Sequence, residues 1–283
     1  MITFKKASDL QQHLDQYRQK SEDIGFVPTM GALHDGHLSL LKTSLKENKQ
    51  SVCSIFVNPA QFNDPTDFKK YPSTLDDDIF KLETNGCDIL FLPSVEEIYP
   101  NGFEVKKSYD LGYLGAILEG EFRPGHFQGV CMAVEKLLQI VQPDKLYLGQ
   151  KDYQQCMIIT RLIQIMGLGD KINIRICPIL RERDGLAMSS RNMRLNNEER
   201  AKAPALYETL IFLKQNLCTG SLRDLKKEAT DHLQKKGFKT DYVEIANAAT
   251  IKPINEWDAR TGIVGLVAAY IDGVRLIDNM MLN

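Results

Sequence analysis

Two histidines three residues apart, His34 and His37, stand in the run Phe26-Val27-Pro28-Thr29-Met30-Gly31-Ala32-Leu33-His34-Asp35-Gly36-His37-Leu38. The apolar residues before them read as a buried strand, the glycines as a turn, and the residues after them as the start of an amphipathic helix. Imidazoles at i and i+3 of a helix start share a face. They lie beside N–H groups that lack intrahelical acceptors, where the helix dipole favours an anion. Glycines at 31 and 36 let a ligand approach the backbone closely. The combination suits a corner that handles the phosphates of a nucleotide. Two plainer readings compete, a metal pair and a structural helix cap. A metal pair is disfavoured because no third His or Cys and no obvious carboxylate lies nearby in the usual ligand spacings. The chain has 5 histidines, at 13, 34, 37, 126 and 232, and two of them share this one turn, which favours function over an incidental cap.

Four further stretches carry polar groups able to do chemistry. Asn58-Pro59-Ala60-Gln61-Phe62 offers two amides that can donate to and accept from a small polar substrate, or merely form a turn. The loop Leu118–Phe127 contains Arg123 and His126, which could face an anion or lie on an ordinary surface turn. In Tyr147-Leu148-Gly149-Gln150-Lys151-Asp152-Tyr153, Gly149 allows close approach and Lys151 offers a point charge for phosphate. Asp152 suits a ribose hydroxyl, but its position alone favours a helix cap. In Arg183-Asp184-Gly185-Leu186-Ala187-Met188-Ser189-Ser190-Arg191-Asn192, two hydroxyls beside an arginine can clamp a phosphate chain, or form a polar linker with a cap. The run Asp76-Asp77-Asp78 fits the positive end of a helix dipole; a place near Mg²⁺ is the weaker alternative.

The elements that must position these residues alternate. Strands are expected at 24–27, 51–57, 88–93, 145–149 and 171–180, and helices at 36–48, 76–85, 128–141 and 153–166. This pattern predicts an α/β fold, a Rossmann-like parallel sheet with flanking helices, whose ligands bind beyond the carboxyl ends of the strands. The last third changes character, with helices at 197–216 and 222–236 and strands at 241–246, 262–271 and 274–280. Asp272-Gly273 marks a tight hairpin between the last two. A smaller C-terminal α+β domain follows, with the expected division 1–182 and 183–283 and the second part acting as a lid.

Composition narrows the class. A chain of 283 residues with a formal net charge of −2 is an ordinary globular enzyme-sized protein, without the basic surplus of a nucleic-acid binder. No apolar run is long enough to cross a bilayer, and the N-terminus lacks the apolar core of a signal peptide. Six cysteines are scattered without a CxxC pair, as expected in a reducing cytoplasm.

Taken together the motifs resemble those of the pantothenate synthetase (pantoate–β-alanine ligase) family of the HxGH nucleotidyltransferase-like superfamily. The matching stretches are residues 28–37, 56–62, 123–127, 149–155 and 184–192, in the family's order and spacing. His-x-Gly-His alone marks only the superfamily; Asn-Pro-x-Gln-Phe and Ser-Ser-Arg-Asn are far more specific. The resemblance implies ATP-dependent condensation of (R)-pantoate with β-alanine through a pantoyl adenylate, in a cytoplasmic homodimer with no nucleic-acid or membrane partner. By resemblance, His34, His37 and Lys151 stabilise the phosphates and Ser189, Ser190 and Arg191 close over them. Met30, Gly31, Gly149, Gln150, Asp152, Leu180 and Met188 line the ATP site. Gln61 and Gln155 hold pantoate, with Asn58 and Arg123 as further substrate contacts. Mg²⁺ bridges the phosphates, supported by Asp77 or Asp78. Gln150 departs from the glutamate common in the family, so no carboxylate is available there. A nucleotidyltransferase that retains the nucleotide in its product, and a nucleotide sensor without catalysis, are the competing functions; an aminoacyl-tRNA synthetase lacks the basic surface it would need.

Overall fold

The computed structural model describes residues 1–62, 65–103 and 107–283. The chain divides into two compact units, residues 1–150 with 154–178, and residues 151–153 with 179–283. The second unit thus begins a few residues before the expected position 183 and takes in a three-residue loop from the middle of the chain.

The first unit is built on six strands, β1 (Ile2–Phe4), β2 (Ile24–Thr29), β3 (Gln50–Ile55), β4 (Ile89–Phe91), β5 (Lys145–Gly149) and β6 (Asn173–Cys177). They form one all-parallel sheet in the order β1-β4-β3-β2-β5-β6. Its helices are α1 (Ala7–Arg18), α2 (Asp35–Glu47), the short α3 (Pro65–Lys69), α4 (Leu75–Thr84), the single turns α5 (Val95–Ile98) and α6 (Glu119–Phe122), then α7 (His126–Val141) and α8 (Tyr153–Ile165). Strand side chains alternate between the faces. Phe26, Val52 and Leu146 pack with Leu10 and Leu14 of α1, Leu137 of α7 and Ile158 of α8. Their neighbours Val27, Cys53 and Tyr147 pack with Leu41 of α2 and Leu82 of α4 on the other side. Both faces are therefore covered, which explains the nearly continuous apolar strands. The order reverses at β2: the chain proceeds outward from β2 to β3 and β4, whereas β5 pairs on the opposite side. In such sheets the crevice at the carboxyl ends of the strands flanking this reversal is the usual ligand site.

The second unit contains α9 (Asn197–Lys202), α10 (Ala205–Gln215) and α11 (Arg223–Lys235), and strands β7 (Gly220–Ser221), β8 (Lys239–Asn247), β9 (Glu256–Trp257), β10 (Ile263–Ile271) and β11 (Val274–Met281). An antiparallel sheet β11-β10-β8 packs on α10 and α11 through Leu206, Leu210, Leu233, Val243, Val267 and Leu276. The single helix expected at 197–216 is two, because the chain reaches Pro204, the N-cap of α10, which supplies no N–H to a continuing helix. The Asp272-Gly273 hairpin is present, with φ of 42° and 81°, the positive pair that a type I′ turn requires. The sequence pattern passed over β1, α1 and the two-residue ladder of β7 with β9.

Five of the six cysteines are buried and all six are free thiols; Cys218 is exposed. Among the described residues no helix is long and apolar enough to cross a membrane.

Candidate active site

The corner after β2 is shaped from within. Thr29 Oγ1 donates to the Ser54 carbonyl at 2.7 Å and accepts from Gly31 N at 3.2 Å. Gly31 and Ala32 then turn through φ of 79° and 49°. A side chain at Gly31 would put its Cβ 3.0 Å from Asp78 Oδ2, so this residue serves the turn and its packing together. Asp78, from the first turn of α4, is buried and accepts from Ala32 N at 2.8 Å, Leu33 N at 2.7 Å and Thr74 Oγ1 at 3.1 Å. Lys81, one turn on, donates to the Leu33 carbonyl at 2.8 Å and pairs with Asp77 at 2.6 Å. The acidic run therefore grips the loop that delivers the histidines. Of the two carboxylates that the resemblance places near magnesium, Asp78 accepts from backbone N–H groups and Asp77 pairs with Lys81. Among the described residues no group of three or more His, Cys, Asp or Glu could hold a metal ion.

His34 is the N-cap of α2 and forms a capping box with His37. The His34 backbone N–H donates to His37 Nδ1 at 3.4 Å, and the rings lie 4.0 Å apart between centroids, tilted by 31°. The capping role weighed as a plain alternative is thus part of how the corner is built. With Nδ1 accepting from the backbone, the neutral His37 ring carries its proton on Nε2, which leaves Nε2–H as its donor.

The turn after β3 is tied to the same loop. Gln61 Nε2 donates to Met30 Sδ at 3.0 Å, and Gln61 Oε1 accepts from Asn58 Nδ2 at 2.9 Å. Asn58 is only 1% exposed. Its amide donates to Gln61 Oε1 and the Gly129 carbonyl, and its oxygen accepts from Ala60 N and the Tyr99 hydroxyl. Two donors and two lone pairs are all used within the protein, and through them Asn58 orients Gln61. His126 Nδ1 lies 2.8 Å from the Gln61 carbonyl, and its Nε2 lies 2.9 Å from Arg123 Nη1. Since both neighbours fix their roles, Nδ1 donates and Nε2 accepts from the guanidinium. Arg123 also lies 3.7 Å from Glu119. The close seat of this turn on α7 depends on Gly129, where a Cβ would fall 2.0 Å from the Ala60 carbonyl oxygen.

At the end of β5, a Cβ on Gly149 would meet nothing within 4 Å, so the backbone there is open to approach. The next glutamines differ. Gln154 is buried; its amide donates to the Leu114 and Ile117 carbonyls and accepts from Glu119 N. Gln155 is half-buried and its side chain makes no hydrogen bond among the described residues. The sequence motif contained both, and only the structure separates the strut from the open amide. Tyr99 and Thr29, which fix Asn58 and the start of the histidine loop, were missed because a lone buried hydroxyl has no spacing signature.

The second unit holds the other expected nucleotide residues. Lys151 Nζ lies 3.3 Å from the Asp152 carboxylate. Leu180 and Met188 face each other across a short hairpin, in which Met188 N donates to the Leu180 carbonyl at 3.0 Å and Arg181 bridges Ala187. Leu180 is exposed. Ser189 caps the turn Ser190–Arg194, its Oγ accepting from Arg191 N at 3.3 Å, and Ser190 is buried. The cap that the sequence offered as an alternative is therefore real for Ser189.

A parallel sheet with its order reversal at β2, and a histidine-capped helix opening from that strand, define a nucleotide-handling α/β protein. The profile of the pantoate-beta-alanine ligase family matches residues 2–281. The chain is 44% identical over 285 residues to pantothenate synthetase of Cytophaga hutchinsonii, covering 100% of this chain and 99% of that one. It is 43% identical to the Flavobacterium psychrophilum pantothenate synthetase, with both chains fully covered. Among solved structures, pantothenate synthetase of Thermus thermophilus superposes with a TM-score of 0.90 at 39% identity, covering 100% and 99% of the two chains. Pantoate-beta-alanine ligase of Francisella tularensis, complexed with beta-gamma ATP and beta-alanine, gives 0.83 at 38% identity, covering 100% and 98%. The chain belongs to the pantoate–β-alanine ligase family, and its activity is the ATP-dependent condensation of pantoate with β-alanine.

Proposed function

We propose that this condensation runs in two steps. A carboxylate oxygen of (R)-pantoate attacks the α-phosphorus of ATP; the new P–O bond forms as the bond to pyrophosphate breaks, giving pantoyl adenylate. The amine of β-alanine then attacks the acyl carbon, AMP departs with the bridging oxygen, and the amine loses a proton to give pantothenate. Charge builds on phosphate oxygens in the first step, so placed donors lower its barrier without a covalent enzyme intermediate.

His37 Nε2–H, His34 and Lys151 supply those donors in this reading, and Ser189, Ser190 and Arg191 bind the phosphate chain. Met30, Gly31, Gly149, Gln150, Asp152, Leu180 and Met188 contact ATP. Gln61 and Gln155 bind pantoate through their amides, and Arg123 lends its charge nearby. Magnesium would enter with the nucleotide and offset phosphate charge; Asp77, paired with Lys81, and Asp78, bound to the Ala32 and Leu33 N–H groups, are the carboxylates the resemblance places near it. The observation that supports the reading most directly is the His34–His37 capping box at the start of α2, directly after the strand where the sheet order reverses. The free cysteines and the family resemblance support a cytoplasmic homodimer, which light scattering checks against twice the chain mass of 32.1 kDa.

The deciding experiment is pyrophosphate release from MgATP with and without (R)-pantoate, before and after β-alanine. Release that requires pantoate, and sustained turnover with AMP only once β-alanine is added, is the expected result. Release indifferent to pantoate overturns the adenylate step.

A further inference from the structure

Lys151 follows β5 in sequence, yet residues 151–153 belong to the second unit. Two long-range hydrogen bonds hold the loop there. Asn279 Nδ2 donates to the Lys151 carbonyl at 2.9 Å, and the Tyr153 hydroxyl donates to the Ala248 carbonyl at 2.8 Å. Asn279 lies on β11 and is 1% exposed.

The residue before it completes a second attachment. Asp278, also buried, takes Arg181 as a bidentate pair at 2.6 and 2.9 Å. Burial pushes the Asp278 carboxyl up while the Arg181 guanidinium pulls it down. Arg181 stacks on the Tyr207 ring at 4.4 Å and donates to the carbonyls of Gly185 and Asn279. It opens the hairpin that carries Leu180 and Met188, and β11 packs against the turn Ser190–Arg194 as well. One strand therefore meets three chain segments that contain the expected nucleotide residues of this unit.

A buried amide and a buried carboxylate are costly in a strand that apolar residues could fill, unless their bonds fix something. What they fix here is register: Asn279 holds the peptide that carries the Lys151 side chain, and Asp278 holds the base of the 180–188 hairpin. We propose that Asn279 is a positioning residue for adenylate formation, acting through Lys151, with β11 as the strand that sets Lys151 in register with the Leu180–Met188 hairpin. The inference rests on Lys151 serving the phosphates, as proposed above.

The test is a double-mutant cycle on pantoate-dependent pyrophosphate release, read as kcat and as separate KM values for ATP and pantoate. Asn279→Ala, Lys151→Ala and the double variant are compared, with Tyr153→Phe, alone and with Lys151→Ala, as a milder second probe of the same loop. A displacement on the order of 1 Å can cost about 10²-fold. Asn279→Ala is expected to lower kcat by about tenfold to a hundredfold with pantoate KM unchanged, and that loss to vanish in the Lys151→Ala background. Tyr153→Phe is expected to give a smaller loss that vanishes likewise, and it decides the matter should Asn279→Ala fail to fold. Losses that multiply independently of Lys151 overturn the inference while leaving the role of Lys151 intact. A Lys151→Ala enzyme with the parent rate instead overturns the phosphate role of Lys151, and the inference with it.

Discussion

Asp78 separates a structural carboxylate from a metal ligand, and its replacement has a calculable outcome. Its two oxygens take the N–H groups of Ala32 and Leu33 at 2.8 and 2.7 Å, and both of those residues are buried. A buried N–H that loses its acceptor costs about 1–3 kcal/mol, and a bond to a charged group lies toward the upper end. Asp78→Ala removes both acceptors, for a loss of about 3–6 kcal/mol. Asp78→Asn keeps one oxygen but turns an NH₂ toward the second N–H, for about 2–3 kcal/mol. With roughly 2–4 °C per kcal/mol in a domain of this size, Asn at 78 lowers the melting temperature by about 5–10 °C. Function follows the same path, because the released peptides lead into His34 and Ala32 is held at a positive φ. Adenylate formation falls by about 10²-fold if the loop moves by an ångström. Thermal melting by circular dichroism, together with pyrophosphate release titrated against Mg²⁺, measures both effects. The expected result is a lower melting point and lower kcat with the Mg²⁺ midpoint unmoved. An Asp78→Asn protein that melts like the parent and demands far more Mg²⁺ would refute the reasoning and return Asp78 to the metal.

Three other outcomes are expected. His37→Ala loses about 10²-fold or more in adenylate formation, as removal of one oriented donor does, while its fold persists; native melting with near-parent turnover would remove His37 from the mechanism. Gln154→Ala lowers stability by detaching the backbone at Leu114, Ile117 and Glu119, whereas Gln155→Ala leaves melting unchanged and raises pantoate KM; melting curves and initial rates on the two variants distinguish them. The hydrogen bond from Arg200 holds the Asp184 carboxyl below its ordinary value of 3.8, so its contribution to stability is present above that pH and is lost as pH falls through the lower folded value. The melting deficit of Asp184→Asn relative to the parent is therefore expected near neutrality and to close on acidification; a deficit that persists below the folded value defeats this account.

The sheet was legible because strand and helix periods differ and because both faces of a parallel sheet must be apolar. Helix α2 was placed within one residue at each end, and β5 without error. Strand β1 escaped because Ile2–Phe4 is three residues long and exposed enough to carry no pattern. The break before α10 depended on one proline inside a continuous periodicity. In the candidate site, what was legible was local structure: the glycine turn at 31, the helix start at His34 and the Ser189 cap are each contained within a few residues. What failed was long range. That Asp78 would reach back 45 and 46 residues to Leu33 and Ala32, or that Asn279 would take the Lys151 carbonyl, is fixed by topology and leaves no trace in local spacing.

Hydrogen-bond capacity supplies the distinction that motif membership could not. Asn58 and Gln61 lie three residues apart in one motif, yet Asn58 has spent two donors and two acceptor sites within the protein, whereas Gln61 keeps a second amide hydrogen beyond its bond to Met30. Gln154 and Gln155 differ in the same way. A saturated buried amide cannot exchange its partners for a ligand without leaving a backbone group unsatisfied, so its conformation is fixed before substrate arrives. An amide with capacity remaining, held by that saturated neighbour, can meet a substrate without reorganising. In Asn58 with Gln61, a buried side chain commits its bonds so that the amide it holds keeps a hydrogen to give.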